Sequence, residues 1–116
     1  QVKKDIINSL NLLNQNGVIF VHDCLPNNIL DQAIPRPKYI WTGDVWKAIV
    51  EFRTLDHIDT YTCNADMGIG IILKRKNKKK LSLDIKNFSK LKFSDYFKNF
   101  KNYMNIVEYR ELENLF

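Results

Sequence analysis

The sequence predicts an α/β fold in the order helix, strand, long loop, helix, β-hairpin, with helices at the C-terminus. Three observations predict it. A helix-periodic stretch ends at a glycine and runs directly into the apolar segment Val18-Ile19-Phe20-Val21. A second helix-periodic stretch begins near Asp44. Two short β-rich runs, Thr60–Cys63 and Ile69–Leu73, then follow each other across a brief link.

A chain of 116 residues is one domain, residues 1–116. Its 45% hydrophobic and 12% aromatic content is that of an ordered globular protein rather than a disordered segment.

Val2 to Leu13 reads as an amphipathic helix, because Val2, Ile6, Leu10 and Leu13 recur at helical spacing and leave Lys3 and Lys4 on the polar side. Asn14-Gln15-Asn16-Gly17 ends it, with Gly17 expected in the left-handed cap conformation. Val18–Val21 is short, apolar and rich in β-branched residues, so it is expected to be an interior strand covered on both faces. Its end then carries His22 and Asp23 to the carboxyl rim of the sheet, where open α/β sheets bind ligands.

Asp23 to Gly43 is a long connection holding all three prolines, Pro26, Pro35 and Pro37. Loops of that length usually cover a site or a partner surface. Asp44 is the expected N-cap of a helix through Arg53, with Val45, Ala48, Ile49 and Phe52 as its buried stripe. Asn64-Ala65-Asp66-Met67-Gly68 links the two later strands. Leu81-Ser82-Leu83 is read as a short edge strand, which makes the basic run Lys74–Lys80 a hairpin tip. Ser94 is expected to cap a helix to about Met104, with Tyr96, Phe97, Phe100 and Tyr103 on one packing face. A final helix is expected from about Ile106 to Leu115, so residues 84–116 form a helical C-terminal extension.

The net charge of +5 is uneven. Residues 1–73 carry six Lys/Arg against eight Asp/Glu, and residues 74–116 carry twelve against five. Basic character therefore belongs to the C-terminal part alone. Two cysteines, Cys24 and Cys63, are too few for a disulfide framework and form no Cys-x-x-Cys metal motif. No apolar stretch approaches the roughly 18 residues of a membrane span, and no signal peptide is visible, so a cytoplasmic protein without membrane contact is expected. Gln1 is not an initiator residue, which leads us to expect a missing upstream segment.

Several segments together resemble one family. Asp5-Ile6, Leu10, Leu13, Gly17-Val18-Ile19 and His22-Asp23 are followed by the intact run Trp41-Thr42-Gly43-Asp44-Val45-Trp46-Lys47-Ala48. Asp66-Met67-Gly68-Ile69-Gly70-Ile71-Ile72 and the tail Phe93–Asn99 with Asn105-Ile106 complete the pattern. The whole resembles the C-terminal half of a bacterial class I S-adenosylmethionine-dependent methyltransferase. Met67 departs from the family's usual aromatic at that point of its late hairpin strand.

The resemblance implies an incomplete Rossmann-like methyltransferase sheet. It implies a fragment of an O-methyltransferase for a small hydroxylated or sugar-like acceptor, inactive alone. The family's glycine-rich cofactor turn, its ribose-binding acid and its Asp-Gly-x-His segment have no counterpart here. The only glycines are Gly17, Gly43, Gly68 and Gly70, none between a strand and a following helix. No cofactor-binding residue is therefore expected, and S-adenosylmethionine is expected only in a full-length relative.

The same resemblance nominates site residues. His22 is a candidate general base and Asp23 a candidate catalytic residue and ligand of a divalent cation, which would lower the pKa of an acceptor hydroxyl. Trp41, Asp44, Trp46 and Lys47 are candidate substrate-binding residues, two rings walling a pocket and a cation meeting an anionic group. The plain structural alternative gives His22 a carbonyl partner, makes Asp23 and Asp44 turn and helix caps, and packs both tryptophans in the core.

A second function is read from charge. Lys74, Arg75, Lys76, Lys78, Lys79 and Lys80 make six of seven consecutive positions cationic. With helices at 2–13, 44–53 and 94–104, a basic hairpin at 73–81 suits a small winged-helix nucleic-acid-binding module. Against it, the helix Asp44–Arg53 has two cations and two carboxylates, poor for entering a phosphate-lined groove. The plain alternative is a solvated turn whose lysines blunt an edge strand. A bared flank of Val18–Val21 also suggests a homo-oligomer formed through an exposed strand edge.

Overall fold

The computed structural model describes residues 2–22, 24–25, 45–64, 68–83 and 85–116. Helix α1 (Val2–Leu12) buries Ile6 and Leu10 and leaves Lys3, Lys4 and Asp5 outward. Its last carbonyls need donors once the helix ends. The Lys74 ammonium supplies them, donating to the Leu10 carbonyl at 2.8 Å and the Leu13 carbonyl at 2.7 Å. The left-handed residue of the turn is Asn16, with φ of 69°, and not Gly17 as the sequence suggested. Gly17 is needed for space instead, because a Cβ there would stand 2.4 Å from Leu13 Cγ.

Four strands form one mixed, open sheet: β1 (Val18–Val21), β2 (Asp59–Cys63), β3 (Ile69–Leu73) and β4 (Ile106–Val107), in the order β1-β3-β2-β4. Strand β3 runs antiparallel to both neighbours, with Phe20 opposite Ile71 and Tyr61 opposite Ile71. Strands β1 and β2 are therefore parallel to each other with a reversed strand between them. β4 adds in parallel at the far side of β2, with Thr62 opposite Ile106.

The expectation of an interior β1 is corrected. It is a strand, but among the described residues β3 is its only neighbour, and Phe20 is 56% exposed. Side-chain alternation explains this. Ile19 and Val21 pack into the helix-covered core, which leaves Val18 and Phe20 on the opposite face.

That core is built by α1, by α2 (Val45–Arg53) and by α3 (Phe93–Met104). In α2 the buried set is Trp46, Ile49, Val50, Phe52 and Arg53, broader than the expected stripe, with Val45 and Ala48 only half-buried. Each large apolar side chain taken fully from water stabilises the fold by roughly 1.5–3 kcal/mol. Tyr96 and Tyr103 of α3 are buried as expected, and Phe97 is exposed. Lys92, not Ser94, caps α3, and the Asp95 carboxylate accepts from the Lys92 N–H at 3.2 Å.

The opposite face of the sheet carries Cys63, Ile71 and Leu73, partly covered by Leu112 and Leu115. Those two belong to a 3-10 helix, Tyr109–Leu115. The expected final α-helix from Ile106 is thus replaced by β4 and this tighter turn. Within residues 85–116, Leu91, Tyr96, Tyr103 and Met104 join the core and Ile106–Val107 joins the sheet. Leu81–Leu83 forms no strand either. Leu81 turns inward, is buried, and donates its N–H to the Arg53 carbonyl at 2.9 Å. The basic run is therefore not the tip of a hairpin.

Candidate functional site

The sheet has two chemically different ends. At the carboxyl end of β1 the chain bends through His22. Its imidazole is exposed and has no hydrogen-bond partner among the described residues. Asp23 lies outside the described residues, as do Trp41 and Asp44. Cys24 then turns inward and is completely buried. Its N–H donates to the Gly68 carbonyl at 3.1 Å, and its thiol lies 3.4 Å from the Val21 carbonyl.

The glycines of the late strand make this return possible. Gly68 has φ of +88°, and a Cβ there would stand 2.6 Å from the Leu25 nitrogen. A Cβ on Gly70 would meet Cys24 Sγ and Ile49 Cδ1 at 3.0 Å each. Gly68 and Gly70 are thus required so that residues 24–25 can lie against β3.

Trp46 is fully buried and packs on Tyr96, ring centroids 5.1 Å apart. Its indole N–H has no partner among the described residues. Lys47 places its ammonium 5.8 Å from the Trp46 ring centroid, within cation–π range. Burial, with the nearby Cys24 thiol, pushes the Tyr96 phenol up to about 12. Of the candidate residues, then, His22 stands at the rim, Lys47 lies against Trp46, and Trp46 sits in the core.

The glycine geometry also tests whether a cofactor fits. The space beside Gly68 and Gly70 is filled by Leu25, Cys24 and Ile49, so neither offers open backbone to a dinucleotide-like ligand. Gly17 is filled by Leu13. Among the described residues no group of three or more His, Cys, Asp or Glu is placed to hold a metal ion. The glycines among the described residues therefore offer no open cradle to S-adenosylmethionine.

The opposite end of the sheet is basic and heavily hydrogen-bonded. Asp59 is wholly buried and accepts from Tyr61 Oη at 3.0 Å, Arg75 Nε at 2.9 Å and the Lys78 N–H at 3.2 Å. Burial, then the hydrogen bond to Asp59, raises the Tyr61 pKa. Arg53, also wholly buried, donates to the Lys79 carbonyl and to the Asn102 carbonyl, the latter at 3.0 Å. Burial lowers its pKa, opposed by the Asp59 charge. A cleft of about 300 Å³ between α1 and α2 opens at this end, floored by Leu10, Phe52 and Ile58 and crossed by the Lys3–Glu51 ion pair at 2.6 Å.

Sequence reasoning missed Cys24, Arg53 and Asp59. Arg53 had a usable signal, because Trp46, Ile49, Val50 and Arg53 share one helical face. Cys24 and Asp59 had none, since their burial depends on strands far away in sequence.

Cys24 and Cys63 are both buried and are not joined by a disulfide. No helix among the described residues is long and apolar enough to cross a membrane. The chain matches no protein-family model, no curated protein and no solved structure.

Proposed function

We propose that this chain forms the acceptor-side part of a class I S-adenosylmethionine-dependent O-methyltransferase. Its acceptor is a small hydroxylated or sugar-like molecule. One observation carries the reading: a reversed strand, β3, lies between the parallel strands β1 and β2, with His22 at their common carboxyl rim. The order of the described parts of the resembling segments supports this reading. His22 follows β1, Val45-Trp46-Lys47-Ala48 opens α2, and Gly68 leads into β3. The family's late hairpin strand corresponds to that reversed strand.

In this reading the exposed, unpaired imidazole of His22 takes the proton from the acceptor hydroxyl as its oxygen becomes methylated. Lys47, held against Trp46, is the cation that would meet an anionic group of the acceptor. S-adenosylmethionine supplies the methyl group when bound, and the described residues are not the ones that hold it. The reading rests on the arrangement of these elements and on the resemblance of the motif.

The test is thermal melting of the full chain with catechol or with monosaccharides. A ligand that binds only the folded state raises the melting temperature. At least one hydroxylated compound is expected to raise it, and His22→Ala to abolish that rise. Absence of any such rise, or a rise produced by S-adenosylmethionine alone, contradicts the proposal.

A further inference from the structure

The run Lys74–Lys80 leaves β3 at the end of the sheet opposite His22. Its shape is set from beneath. Asn77 is nearly buried and donates to the Arg53 carbonyl at 3.0 Å and the Leu55 carbonyl at 2.8 Å. Its own side-chain oxygen accepts from the Lys79 N–H at 3.1 Å. The Lys78 N–H is held by Asp59, and the Lys79 carbonyl by Arg53. A loop fixed at this many points presents its side chains with little further backbone ordering cost.

Among the described residues, the carboxylates that this loop meets are already taken. Asp59 pairs with Arg75 at 2.9 Å, and Asp56 pairs with Lys80 at 3.0 Å. Lys76, Lys78 and Lys79 are exposed and pair with no carboxylate among the described residues. Arg75, Lys76, Asn77 and Lys78 line a shallow concavity of about 450 Å³. The Arg75 Nη2 has no hydrogen-bond partner among the described residues. Through Arg53 the loop also adjoins Asn102, and the neighbouring Lys101 is exposed.

We infer that this loop is a binding surface for the phosphate backbone of duplex nucleic acid, independent of the methyltransferase reading. Three unpaired ammonium groups within four residues match a ligand that carries closely spaced fixed negative charge. Among the described residues no aromatic side chain lines the concavity, which argues against base stacking on a single strand. No hairpin or basic helix enters a groove here, so contact is to phosphates and is independent of sequence.

The probe is a fluorescently labelled random-sequence DNA duplex, read by anisotropy with the full chain. Three phosphate contacts predict about 40-fold weaker binding between about 50 and about 200 mM salt. The combined variant Lys76→Ala, Lys78→Ala, Lys79→Ala is expected to keep its melting temperature and to lose most of that salt dependence. The charge-matched variant Lys86→Ala, Lys90→Ala, Lys92→Ala is expected to keep it. Three results overturn the inference: no duplex binding at the lower salt, equal losses in the two variants, or tighter binding to the single strand than to the duplex.

Discussion

The backbone N–H of Cys24 donates to the carbonyl of Gly68 at 3.1 Å. That one bond ties the peptide just past His22 to the entry of β3, so the position of the imidazole depends on a glycine more than forty residues away. Gly68→Ala must fit a Cβ 2.6 Å from the Leu25 nitrogen at a φ of +88°. The expected cost is about 2 kcal/mol or more, from backbone strain and displacement of Leu25. Urea unfolding measures it, and a cost below about 0.5 kcal/mol would contradict this packing.

Arg53 holds two segments at once. Replacing it with methionine leaves the Lys79 and Asn102 carbonyls without their donor inside the protein. The expected loss is about 3 kcal/mol. Arg53→Lys is expected to recover little, because a single ammonium lacks the planar fork that spans both carbonyls. Chemical unfolding of the two variants beside the parent checks both statements.

Tyr96 makes stability fall in alkali. Its phenol titrates at about 12 in the fold and at about 10 in an unfolded chain. The stability due to the neutral buried phenol is fully present below about pH 10 and is lost as pH rises through about 12. The comparison is with Tyr96→Phe, so that every other effect of pH is shared by the two proteins. The parent is expected to lose up to about 2 kcal/mol more than the variant across that window. Parallel unfolding curves at both pH extremes would contradict it.

How far these features were legible in the sequence depended on how local their cause was. Hydrophobic periodicity located α1, α2 and α3 within a residue or two, because each helix buries its own stripe. Val18–Val21 was recognisable as a strand, but its edge position was not, since a short apolar run looks alike in the middle and at the margin of a sheet. Leu81–Leu83 failed as a strand because the Arg53 carbonyl captures the Leu81 N–H. Ile106 was read as helix although Thr62 recruits it into the sheet. At the site, His22 was visible because it follows directly on the strand. The burial of Trp46 and of Cys24 was decided by partners distant in sequence, Tyr96 and Gly70.

His22 separates binding from folding. It is exposed and makes no hydrogen bond among the described residues. His22→Ala is therefore expected to change unfolding free energy by less than about 0.5 kcal/mol. A larger loss would show that the imidazole serves the fold and would remove it from the proposed chemistry.

The most direct measurement is a two-dimensional amide NMR titration of the full chain with the acceptor that most raises its melting temperature. The account predicts that the largest shifts fall on His22, Cys24 and Gly68, at the carboxyl rim of β1, with the basic loop unmoved. Shifts confined to the cleft between α1 and α2, or spread over Lys74–Lys80 while His22 stays in place, would contradict it.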